Sequence, residues 1–152
     1  MWLSSKSHYA LMLECVGTNF FDVLDKTKNY YFVLQHYENK GVVDYGKRYG
    51  EQYKRLVLLF VRDKETHNEV SIDLTSLTEC GVKLLDEYSD LSLLEKENNL
   101  DNLLDGVQYE GLLLKIVDNN TVRLLRLPTP RYKKKSEIIP NAQNRYVSFL
   151  KL

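Results

Sequence analysis

The nine residues from Tyr53 to Val61 read YKRLVLLFV. Six consecutive apolar side chains, from Leu56 to Val61, point alternately to both sides of an extended chain, so both faces of such a strand need cover. The run is too short for a core helix and holds Val57, Val61 and Phe60, which suit a pleated surface. It is read as a central strand, and the rest of the chain is read as what pairs with it and covers it.

Several other stretches share that signature. Tyr30 to Tyr37 (YYFVLQHY) is aromatic and branched, and reads as a strand. Val70, Ile72 and Leu74 alternate with Glu69, Ser71 and Asp73, which suggests a strand at 68–74 closing a hairpin with 53–61. His8 to Val16 alternates as well and is read as a strand, apolar on both sides. Val107–Val117 and Thr121–Leu127 flank Asp118-Asn119-Asn120, whose Asn side chains tolerate positive φ, so a hairpin is expected there. Pro128 and Pro130 end it, because neither can donate to a ladder.

Helices are expected in three places. Asn19 before Phe20 suggests a short one at 19–27. Ser76 with Glu79 three residues on resembles a capping box, and Leu84, Leu85, Tyr88 and Leu91 continue at helical spacing, which gives a helix at 77–90. Ser92 with Glu95 opens a second, at 93–105, which Gly106 stops. The expected fold class is therefore α+β: a mostly antiparallel sheet of five to seven strands with two acidic amphipathic helices packed on one face. Residues 1–127 are read as a single domain. Residues 128–152 are read as a Pro/Lys-rich extended segment, with 145–151 a candidate terminal strand.

Charge is uneven along the chain although its 21 Lys/Arg and 21 Asp/Glu cancel. Residues 62–108 carry four basic and twelve acidic side chains, and residues 121–152 carry eight basic and one acidic. The balance excludes a globally basic coat for nucleic acid and a strongly acidic mimic of it. No run approaches the 18 apolar residues of a membrane span, and no signal-peptide core opens the chain, so a cytoplasmic protein without membrane association is expected. Two alanines against eleven asparagines and eleven tyrosines fit an AT-rich genome such as those of many phages and viruses.

Chemistry leaves few traces. Gly46-Lys47-Arg48-Tyr49-Gly50 lacks the G-x-x-x-x-G-K-S/T arrangement of a phosphate loop and reads as a turn before a strand. Cys15 and Cys80 fit no C-x-x-C pattern and read as buried thiols; Cys80, placed in the first turn of a helix, is the more reactive candidate. His8, His36 and His67 lack metal-ligand spacing, although two of them with Glu14 or Asp44 could meet in three dimensions. No metal, no cofactor and no catalytic residue is assigned.

Two constellations remain. The basic and aromatic residues Lys47, Arg48, Tyr49, Lys54 and Arg55 form one segment, and Arg123, Arg126, Arg131, Tyr132, Lys133, Lys134, Lys135 and Arg145 form another. Such residues meet phosphates and stack on bases, which gives a nucleic-acid-binding alternative. The other constellation is Tyr146, Phe149, Leu150 and Leu152, large apolar groups just past a lysine-rich segment. They read as an interface with another copy or another protein. The leading expectation is a non-enzymatic interaction or assembly protein, a homo-oligomer or the partner of another protein. A small enzyme is the remaining alternative.

Overall fold

The computed structural model describes residues 6–41, 43, 45–85, 111–118, 121–128 and 134. The chain divides into two compact units, one formed by Met1–Asn39 with Gln52–Leu85 and the other by Lys40–Glu51 with Asp86–Leu152.

The first unit is built on β2, Lys54–Asp63, with β1, Lys28–His36, antiparallel on one side and the two-residue β3, Lys83–Leu84, parallel on the other. Leu56, Val57, Leu58, Phe60 and Val61 are all buried, as a central strand requires. The β1–β2 register runs from His36↔Lys54 to Phe32↔Leu58 and resumes at Tyr31↔Phe60, so Leu59 is the extra residue of a bulge. Past the bulge, Tyr31 stacks on Phe60 at 4.4 Å and the Arg62 guanidinium lies 5.0 Å from the Phe60 ring centre.

Helix α1, His8–Cys15, lies against β1 and β2. These residues were expected as a strand. None of the eight is β-branched, Ala, Leu, Met and Glu favour a helix, and the Ser7 hydroxyl accepts the Ala10 N–H at 3.2 Å as an N-cap. Leu11 is buried on the inner side, and Phe20 meets Phe32 edge-on at 5.7 Å.

The helix expected at 19–27 contracts to a 3₁₀ turn, Phe20–Val23. Asn19 does not cap it; its Oδ1 instead accepts from the Cys80 thiol at 3.3 Å. Asp25 then turns the chain into β1, its Oδ1 accepting the Thr27 N–H at 2.8 Å.

The strand expected at 68–74 shrinks to one bridge, Arg62↔Glu69. The edge of β2 that it would extend along is taken at Val57 and Leu58 by β3. The helix expected from 77 begins at Thr75 and ends at Glu79, forming α3. Gly81 stops it at φ 97°, donating to Thr78 O while Val82 donates to Leu77 O, the paired bonds of a Schellman cap. Leu84, read above as part of a helical stripe, is the second residue of β3. The remainder of that helix and the one expected at 93–105 lie outside the described residues.

In the second unit, Gly46–Tyr49 is a single helical turn, α2, rather than the expected irregular turn, and Gly50 at φ 96° closes it. Strands β4, Gly111–Asp118, and β5, Thr121–Pro128, pair antiparallel from Gly111↔Pro128 to Asp118↔Thr121, the hairpin expected about residues 118–121. The described sheets therefore correct the expected fold. Among the described residues the fold is a small α+β one with a three-stranded mixed sheet, a two-stranded hairpin and three short helices, not one sheet of five to seven strands under two amphipathic helices.

The α3 cap gives a direct test. A Cβ on Gly81 would lie 3.1 Å from the Cys15 carbonyl oxygen, a backbone atom, and the left-handed φ adds its own strain. Gly81→Ala is expected to destabilise the fold by about 1–2 kcal/mol, read from the urea midpoint. An unchanged midpoint would mean that the α1–α3 junction is not closed in this way.

Candidate functional site

The densest group of functional side chains in the first unit sits where α1 meets the end of β1. His36, the last residue of β1, is fully buried, and its Nε2 lies 2.6 Å from Glu14 Oε2 on α1. Its Nδ1 accepts the backbone N–H of Glu38 at 3.1 Å. A nitrogen that accepts from a backbone N–H carries no proton, so the ring is the Nε2–H tautomer and donates to Glu14.

The carboxylates continue the group outward. Lys6 Nζ is 2.9 Å from Glu14 Oε1 and 3.2 Å from the Glu38 carboxylate, and the Tyr37 hydroxyl donates to Glu38 Oε1 at 3.0 Å. The hydrogen bond from Lys6 holds both carboxyls below the usual glutamate range, and the same two bonds raise Lys6. The bond to Glu38 also raises the Tyr37 hydroxyl. Lys54, opposite His36 in the register, lies 5.9 Å over the Tyr37 ring.

This arrangement holds rather than reacts. Both His36 nitrogens are committed, and Lys6 is an ammonium bridged by two carboxylates. Cys15, one residue beyond Glu14, gives its thiol to Leu11 O at 3.3 Å and is pushed up to about 11 by burial and then by the Glu14 charge. A thiol with that pKa is protonated at neutral pH and is a poor nucleophile. Cys80, expected in the first turn of a helix, instead follows the last residue of α3 and is buried, so no helix N-terminus activates it. Of the tertiary metal group considered from sequence, His36 meets Glu14, but His8 and His67 are both exposed. Among the described residues no cluster of three or more His, Cys, Asp or Glu could hold a metal ion.

Two large apolar side chains of the same helix are exposed. Tyr9 and Leu13, one helical turn apart on α1, are 59% and 43% exposed, and Phe21 is 48% exposed. The Tyr9 and Phe21 rings stack at 6.2 Å with 25° between their planes. Phe20, the neighbour of Phe21, anchors the turn from beneath. Sequence reasoning missed this face because the strand reading of 8–16 placed Tyr9 and Leu13 with Leu11 and Cys15. A Ser7 cap ahead of a stretch without β-branched residues was the available signal.

The basic constellation is distributed. Lys54 and Arg55 stand at the start of β2 in the first unit, whereas Lys47, Arg48 and Tyr49 form most of α2 in the second. The Arg48 guanidinium lies 5.1 Å from the Tyr49 ring centre, and Tyr49 stacks with Tyr45 at 6.3 Å. Arg123 and Arg126 are on β5, opposite Ile116 and Leu113 in the register. Lys134 is exposed. Arg131, Tyr132, Lys133, Lys135 and Arg145, and the apolar Tyr146, Phe149, Leu150 and Leu152, lie outside the described residues. Among the described residues no helix is long and apolar enough to cross a membrane. Compared with known proteins, the chain matches no family model, no curated protein and no solved structure.

The buried ring supplies the test of the polar group. His36→Ala removes a packed ring and leaves the Glu38 N–H without its acceptor, and is expected to cost about 2–4 kcal/mol in thermal or urea unfolding. Glu14→Gln, which keeps an acceptor oxygen for Nε2–H, should cost less than Glu14→Ala. Equal effects of the two Glu14 variants would mean that the His36–Glu14 bond does not hold α1.

Proposed function

We propose that the protein is a non-enzymatic interaction protein that assembles with copies of itself. The observation that carries this reading is the stacked pair of Tyr9 on α1 and Phe21 on the 3₁₀ turn, half-exposed, with exposed Leu13 one helical turn from Tyr9. Contiguous exposed aromatic surface of this kind is the usual mark of a protein contact, since tyrosine and phenylalanine bring large area at little cost in ordering. The polar groups nearest to it support a binding role over catalysis. They satisfy one another in a closed group and present no nucleophile or base with an open side.

The nucleic-acid reading has less support. In the first basic segment the Tyr49 ring already carries the chain's own Arg48 guanidinium, and the Lys54 ammonium is drawn to Tyr37 outside the segment. Its two halves are also divided between the two units.

Size-exclusion chromatography with light scattering on the natively purified chain, with absorbance recorded at 260 and 280 nm, tests the proposal. Assembly gives a mass of two or more chains and a protein-like absorbance ratio. A mass of 17.8 kDa at every concentration would count against self-association. Co-purifying absorbance at 260 nm that salt removes would favour the nucleic-acid alternative instead.

A further inference from the structure

We infer that the Tyr9–Leu13–Phe21 face is the seat for residues 145–152 of a second copy, so that assembly runs from one chain's apolar segment to the next chain's α1. This rests on the self-association proposed above and names the two surfaces that would meet.

Area is the first argument. Two half-exposed aromatic rings and one leucine present on the order of 300 Å². A stable interface of two folded faces needs about 800 Å² from each side. The patch is too small to dimerise against itself and suits a short segment that brings a few large side chains. Residues 145–152, RYVSFLKL, bring four: Tyr146, Phe149, Leu150 and Leu152.

Charge is the second argument. Exposed Asp22 directly follows Phe21, so a carboxylate stands at that edge of the patch. The segment proposed to sit on it is basic, with Arg145 ahead of its apolar residues and Lys151 between Leu150 and Leu152. Complementary charges set the orientation of an encounter even where they add little affinity.

A contact between two different surfaces makes a strong prediction about mixtures. One full-length variant carries Tyr9→Ser and Phe21→Ser and so keeps only the segment. The other carries Tyr146→Ser, Phe149→Ser, Leu150→Ser and Leu152→Ser and so keeps only the patch. Each alone is expected to run as a folded monomer with the circular dichroism of the parent chain, and an equimolar mixture to form a complex of one of each. Should the first variant fold poorly, Leu13→Lys blocks the same face at a single exposed site and takes its place.

Either variant assembling alone as the parent does would overturn the inference, because the altered surface would then be dispensable. A mixture that stays monomeric while the parent chain assembles would overturn it too and leave the self-association reading standing. A parent chain that is itself monomeric would remove both.

Discussion

The first unit depends on one strand being covered on both faces. β2 buries Leu56, Val57, Leu58, Phe60 and Val61 in succession, and each side chain of that size contributes on the order of 1.5–3 kcal/mol when taken from water. β1 and β3 take the two edges of β2, β1 along nearly its whole length and β3 at its middle, while α1 lies over the β1–β2 pair and Phe20 packs on Phe32 of β1. A bulge interrupts the β1–β2 pairing at Leu59. It shifts the phase so that Phe60 meets Tyr31, while Leu56 and Leu58 remain opposite Leu34 and Phe32.

Holding α1 in place has consequences at its two sides. On the inner side, Leu11 supplies apolar contact and Glu14 supplies the His36 bond; burying that imidazole without a partner would be costly, and the carboxylate removes the cost. The far end of α1 is tied through Gly17 N–H to Cys80 O at 2.8 Å, which brings the α3 cap against it. With eight residues, the helix cannot stand alone in water, so these attachments keep it folded. They also leave Tyr9 and Leu13 facing outward, where the Tyr9 ring stacks on Phe21.

Much of the sheet was legible in the sequence. β1, β2 and the β4–β5 hairpin are rich in branched and aromatic residues, and their positions agree with the structure to within a few residues. What failed were patterns with two readings. His8 to Cys15 alternates like a strand but contains the cap and the unbranched residues of a helix. Ser76 and Glu79 do mark a helix, but Gly81 ends it almost at once, and Leu84, counted into its stripe, lies in β3. Ser71 to Leu74 has the alternation of a strand, yet no edge is left for it. The polar group was illegible for another reason. Glu14 and His36 are 22 residues apart, and no spacing rule links a helix to the end of a strand across a turn.

Amide hydrogen exchange followed by mass spectrometry tests the central place of β2 most directly. If the account is right, the amides of residues 55–61 exchange more slowly than any others between residues 6 and 85. Those of β1 should follow, and those of α1 should open earlier, because the helix can detach without uncovering both faces of the strand. Exchange across residues 55–61 as fast as that of residues 8–15 would contradict it, since the strand would then not be what the unit is built on.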